Sequence, residues 1–336
     1  MQRIHRWPVL LVTAVLLWIC GTAVAADMNP DLATVRRLIG QSDATIDLAQ
    51  AKVTIDRLIA PDIDTVATLR QIDALAAAIR HRIPPQATSQ TKLEILVTSL
   101  SQPGSWNDYR PFTYDLADPF GTKIQNKLLS TYLATRKGNC VSMPVLFVIL
   151  GQRIGLDVTL STAPLHVLAK FKNDAGEWVN IEVTSYGTKQ NTSYQQEMAI
   201  AAKAMQSGIY LRPLSRRESL GVIVETLMES YGKRGLQTQR IAVADLLLQL
   251  NPKDVSAMLH KGSAYSRLVK ERYTSKFQSL DQLTAAQRAE FETLGRNNRL
   301  WFDKAEALGW REPAKEQDSS YLRRIQQVKT QQRGAQ

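Results

Sequence analysis

The sequence predicts an α+β fold: a helical N-terminal region, a central unit with one wholly apolar helix and a β-hairpin, and a charged helical C-terminal region. Three observations predict it. Apolar residues recur at helical spacing ahead of Pro84-Pro85. Val141 to Ile154 is apolar on all sides, and two strand-like runs around a Gly-containing turn follow it. Beyond residue 213 the helical spacing returns, with a motif that recurs after 34 residues.

Composition narrows the function classes. The chain has 336 residues, 44% of them hydrophobic, which is enough for a packed core and excludes general disorder. Two cysteines exclude a disulfide-rich scaffold. Four histidines without HExxH or CxxC leave no pattern for a zinc protease or structural zinc site, and no metal or cofactor is expected. No GxxxxGK[ST] or GxGxxG loop supports nucleotide-driven chemistry, and no Asp-rich loop of the EF-hand type is visible for calcium.

Residues 1–25 read as a signal peptide. Arg3 and Arg6 give a basic start, Val9 to Cys20 is apolar apart from Thr13, and Ala23-Val24-Ala25 is a small-x-small cleavage site. The run is short for a membrane-spanning helix, which needs ~20 apolar residues. An exported, periplasmic protein cleaved near Ala25 is therefore expected, with membrane contact only through an uncleaved signal segment. Ile19 is too large for the residue preceding a lipidated Cys20. Export makes nucleic acid a poor partner. Removing Arg3 and Arg6 lowers the formal charge from +11 to +9, still basic enough to favour anionic surfaces. Cys140 is then the one cysteine left, without a partner for an internal disulfide.

Residues 26–125 form the helical N-terminal region and an aromatic loop. Ile46, Ala49, Val53 and Leu58 predict a helix that stops at Pro61; Val66, Leu69, Ile72, Leu75, Ala76 and Ile79 predict another that stops at Pro84. Between Gln102 and Gly121 turn residues accumulate around Trp106, Tyr109, Phe112, Tyr114 and Phe120. Such aromatics pin a long loop to the body more often than they wall a cleft.

Residues 126–212 are the densest in signals. Asn126 to Leu133 predicts a short helix and Lys137-Gly138-Asn139-Cys140 a turn. Pro144 fits only the first turn of the apolar helix, so that helix begins near Cys140. A strand over 158–161 comes next. Runs 166–172 and 178–184 flank Asp174-Ala175-Gly176, a hairpin loop with Gly176 left-handed. Pairing Asn173 with Glu177 sets Phe171 opposite Val179, Ala169 opposite Ile181 and Val167 opposite Val183, which makes one face wholly apolar. On the other face Glu182 becomes the diagonal neighbour of His166, within reach of a long side chain.

Cys140, His166 and Glu182 are the candidate catalytic residues. A thiol at a helix N-terminus is favoured as thiolate, an imidazole exchanges its proton, and a carboxylate beyond the ring fixes the tautomer. The bland alternative makes Cys140 a small core residue, His166 a satisfied strand-end histidine and Glu182 a solvated charge. The backbone N–H of Cys140 is the natural oxyanion donor, with Asn139 as a side-chain candidate.

These residues carry a resemblance. Leu133-Ala134-Thr135-Arg136-Lys137-Gly138-Asn139-Cys140, the apolar helix, His166 and Glu182-Val183-Thr184 resemble a transglutaminase-like core, closest to the SirB-type branch with tetratricopeptide-like helices behind it. The resemblance implies a papain-like fold with Cys140 as nucleophile, His166 as base and Glu182 as orienter. Glu182 stands where that family has Asp, and members of this branch without the cysteine keep a non-catalytic scaffold in view.

Residues 213–325 predict tetratricopeptide-like helices. Leu250-Asn251-Pro252 closes a helix, and Met258, Gly262 and Tyr265 follow at the repeat spacing; Val224, Leu227, Met228 and Tyr231 precede them by one repeat. Phe302, Ala305 and Leu308 resemble a later helix displaced by an insertion near Thr274–Asn298. Residues 326–336 are polar and expected to fray. Two functions fit. One is an exported thiol acyl hydrolase or acyltransferase acting on protein or cell-wall peptide amides. The other is a non-catalytic module that holds a protein or peptide partner in the same cleft and on the helical repeats.

Overall fold

The computed structural model describes residues 29–312; the expected signal peptide and the tail expected to fray lie outside the described residues. Helices α1 (Pro30–Ile39), α2 (Leu48–Ile59), α3 (Thr65–His81) and α4 (Ser89–Ser101) form the N-terminal region. Each begins on a side chain that accepts from its first turn: Asn29, Asp47, Asp64 and Thr88. The two periodic runs of the sequence fall in α2 and α3, which bury Val53, Ile55, Ile72 and Ile79.

The aromatic loop is pinned at several points. Phe112 is buried edge-on to Tyr132, with centroids 5.2 Å apart. Trp106 lies under the Arg82 guanidinium, 3.5 Å from ring centroid to carbon. Tyr109 and Phe120 remain exposed. Within this loop the two-residue strand β1 (Thr113–Tyr114) runs parallel to β2 (Lys137–Gly138), immediately before Cys140. Helix α5 (Leu129–Thr135) leads into β2. Its first N–H, at Leu129, donates to Asp56 Oδ2 at 2.8 Å, and Asp56 is paired with buried Lys52. A buried charge needs such partners, so this pair fixes α5 on α2.

Helix α6 (Ser142–Arg153) is buried from Ser142 to Gly151, as an all-apolar helix must be. Pro144 sits in its first turn and Gly155, at φ +76°, ends it. An antiparallel sheet follows in the order β3 (Val158–Ala163), β4 (His166–Lys172), β5 (Trp178–Glu182), β6 (Gly187–Thr188). Phe171 pairs with Val179 and Ala169 with Ile181; Asn173 N–H donates to Glu177 O, and Gly176 has φ +84°. The expected Val167–Val183 pair does not form. The chain turns out of β5 at Glu182, with Ser185 N–H donating to Glu182 O at 3.2 Å, and returns as β6.

Both faces of the sheet are covered. Val167, Ala169, Phe171 and Ile181 join one apolar cluster with α6 and the N-terminal helices. Leu168 joins a second cluster with Tyr194 of α7 (Asn191–Glu197), Ala204 of α8 (Ala202–Ser207), and residues of the C-terminal helices. Those helices are α9 (Arg216–Lys233), α10 (Gln237–Leu250), α11 (Val255–Val269) and α12 (Ala285–Ala307), each packed on the next. Helix α9 packs along α2 and buries Ile223, Val224 and Leu227 in the first cluster, so the core and the C-terminal helices share hydrophobic contacts. At the α11–α12 crossing a Cβ on Gly262 would lie 2.9 Å from the Phe302 ring. Of the expected insertion 274–298, residues 285–298 form the N-terminal part of the long α12.

Candidate active site

Cys140 lies in the turn before α6, and the cap of that helix holds the turn. Asn139 Oδ1 accepts from the N–H of Val141 at 3.0 Å and of Ser142 at 3.1 Å. Asn139 N–H donates to Ser142 Oγ at 3.1 Å, and that hydroxyl donates to Asn126 O at 3.0 Å. Asn126 Nδ2 in turn donates to Asp115 Oδ2 and Asp118 Oδ2, both at 3.0 Å. Asp118 also accepts from Thr122 and Lys123; burial would raise its pKa, but the hydrogen bonds from Lys123, Thr122 and Asn126 together hold it below the usual carboxylate range. A polar chain thus ties the aromatic loop to the residue preceding the thiol. Cys140 itself is partly exposed. Asn139 is buried; its Nδ2 has no hydrogen-bond partner and packs where a Cβ on Gly121 would stand 3.1 Å away.

His166 opens β4. It pairs with Ala163 across the two-residue turn Pro164-Leu165, whose Leu165 has φ +54° and is 78% exposed. The short turn leaves the imidazole no freedom to slide along the sheet. Its Nε2 lies 2.7 Å from Glu182 Oε2, and Cys140 is near enough to the ring to help raise its pKa. With Nε2 committed to the carboxylate, Nδ1 is the ring nitrogen left for a second partner.

The carboxylate at the end of β5 is fully engaged. Glu182 Oε1 accepts from Thr184 Oγ1 at 2.6 Å and from Thr184 N–H at 3.2 Å. Glu182 Oε2 accepts from Tyr194 hydroxyl at 2.8 Å besides the imidazole. Burial alone would raise the Glu182 pKa, but the hydrogen bonds and the charge of His166 prevail and bring it to about 2. Burial disfavours charge on His166 as well; hydrogen bonds and negative charge from Cys140 and Glu182 outweigh it and push the ring up to about 10. With its pKa raised to about 10, the ring is an imidazolium beside the Glu182 carboxylate at neutral pH.

The structure therefore hydrogen-bonds His166 to Glu182 and places Cys140 in the neighbourhood of the same ring. Two further members of the site were not read from the sequence. Thr184 stands in the sequence only as the end of a strand and of the Glu182-Val183-Thr184 motif, with no role of its own. Tyr194 sits in a short helix with no periodic signal and reaches Glu182 because β6 and the following turn carry the chain back over the sheet. Among the described residues no group of three or more His, Cys, Asp or Glu side chains is placed to hold a metal ion. No helix among them is long and apolar enough to cross a membrane.

No curated protein and no solved structure matches the chain. A family model described as the transglutaminase-like superfamily matches residues 67–224, from the first turn of α3 into α9. The matched span contains the thiol turn, the imidazole strand and the carboxylate strand, together with α4 and nearly all of α3, which pack on α6. Residues 67–224 are thus a transglutaminase-like superfamily domain.

Proposed function

We propose that this protein is a thiol-dependent acyl hydrolase or acyltransferase that acts on protein or peptide amides. The observation that carries the reading is the His166–Glu182 contact of 2.7 Å, with Cys140 near enough to the same ring to act on its pKa. Cys140 sulfur attacks the amide carbonyl carbon, forming a C–S bond. The C–N bond breaks, and the amine leaves with the proton held by His166. Water, or a second amine, then attacks the thioester while His166 takes its proton, and the acyl product leaves as the thiol is restored. The backbone N–H of Cys140 serves the oxyanion, because Asn139 is wholly buried with its Nδ2 packed by Gly121.

The basic, apolar and small-residue pattern of residues 1–25 supports export of this enzyme to the periplasm, where cell-wall peptides as well as proteins supply the amide. In this reading α9 to α12 are tetratricopeptide-like pairs that hold the substrate chain, an assignment supported by the close crossing of Gly262 and Phe302.

Alkylation of Cys140 by iodoacetamide, followed against pH in wild type and His166→Ala, tests the chemistry. An activated thiol labels with a midpoint well below the free-cysteine value of ~8.5, and His166→Ala raises it. A thiol that labels only after denaturation would overturn the enzyme reading.

A further inference from the structure

Glutamate has one more rotatable bond than aspartate, so a glutamate that orients a histidine from a strand end needs restraint that aspartate does not. Here the restraint is visible. The two carboxylate oxygens of Glu182 accept from His166, Tyr194 and Thr184. Thr184 is two residues along the same strand exit and moves with Glu182. Tyr194 is different, because it comes from α7 and is wholly buried. Its ring is packed in the second apolar cluster with Leu168, and the Lys189 ammonium lies 4.5 Å from its centroid. It can thus hold the carboxylate against the body of the protein.

We infer that Tyr194 is a positioning residue of the thiol centre: its anchored hydroxyl shares Glu182 Oε2 with the imidazole and fixes the longer carboxylate where it aligns His166. The inference rests on the thiol-centre reading above for its catalytic meaning. The phenol acts only as a donor: burial and the neighbouring Glu182 charge raise its pKa, so it stays protonated. It therefore never competes for the proton on His166 Nε2.

Tyr194→Phe in the full chain tests this, since it removes one oxygen and keeps the ring. Two readings are taken. The His166 imidazole is titrated by NMR, and Cys140 alkylation is followed against pH. In Tyr194→Phe the His166 midpoint falls, and alkylation below the wild-type midpoint slows about threefold to tenfold, the range for losing one hydrogen bond to a charged group that acts through an intermediary. The same change made in Glu182→Gln produces no further shift, because Tyr194 acts through the carboxylate. An unchanged His166 midpoint in Tyr194→Phe, or an equal additional shift in the Glu182→Gln background, would overturn the inference. A purely structural role would lower thermal stability and leave both midpoints in place. The two readings also separate the claims: if wild-type Cys140 proves inert while the His166 midpoint still falls in Tyr194→Phe, the thiol chemistry fails and the positioning role stands.

Discussion

Asn139 and Ser142 exchange hydrogen bonds across Cys140: Asn139 N–H donates to Ser142 Oγ and Ser142 N–H donates to Asn139 Oδ1, each at 3.1 Å. This reciprocal cap satisfies the first free N–H groups of α6 and at the same time sets the backbone that carries the sulfur. Asn139→Ala removes both acceptor contacts and leaves the N–H groups of Val141 and Ser142 without them. We expect a loss of about 2 kcal/mol in stability, toward the upper end for a helix cap because the site is buried. Chemical denaturation measures the loss. The pH midpoint of Cys140 alkylation should rise in the same variant, because the turn is no longer held against the imidazole.

The ion pair of His166 and Glu182 gives stability a defined pH window. His166 moves from 6.5 to about 10 in the folded protein, so its contribution is complete below 6.5 and is lost as pH rises through 10. Glu182 moves from 4.5 to about 2, so its contribution is complete above 4.5 and is lost as pH falls through 2. The two statements describe one interaction, counted once. The stability difference between wild type and Glu182→Gln should therefore be largest between 4.5 and 6.5 and shrink on both sides. Urea denaturation across that range checks it; a difference that grows above pH 7 would contradict the assignment.

Gly138 is required for space, since its φ is not among the left-handed ones. A Cβ there would stand 2.5 Å from Tyr132 Cε2 and 2.7 Å from Met143 Cγ. Both neighbours are buried and cannot withdraw. Gly138→Ala should destabilise the protein by about 1–3 kcal/mol through overpacking beside the thiol turn, seen as a lower melting temperature. An unchanged melting temperature would mean that α5 and α6 can separate at this point.

What could be read beforehand was local. The apolar circumference of α6 and the placement of Pro144 gave its burial and its start. Gly176 and the pairing of Asn173 with Glu177 gave the hairpin register, and from that register the approach of Glu182 to His166 followed, although the ladder ends before the last expected pair. What could not be read depends on contacts between distant segments. Ser142 donates to Asn126 sixteen residues earlier, and Tyr194 reaches Glu182 only because the second face of the sheet is covered by α7. Neither contact leaves a periodic trace in the chain. The same holds for the packing of α9 along α2, where apolar residues marked each helix but not its partner.

Leu165 occupies the second position of the turn that leads into His166, where a left-handed residue is usually Gly or Asn. Its φ of +54° costs a non-glycine residue about 1 kcal/mol, and with 78% of its surface exposed the side chain recovers little by burial. Replacement by glycine removes the strain and gives back part of the gain as added freedom of the unfolded chain. Valine raises the strain, because a branched Cβ crowds the left-handed backbone further. The order of stability should therefore be Leu165→Gly above wild type and Leu165→Val below it, with the two variants separated by about 1–2 kcal/mol in chemical denaturation. Because the turn sets where His166 enters the sheet, Leu165→Val should also slow Cys140 alkylation, while Leu165→Gly leaves it near the wild-type rate. A valine variant as stable and as reactive as wild type would show that the turn relaxes without moving the imidazole.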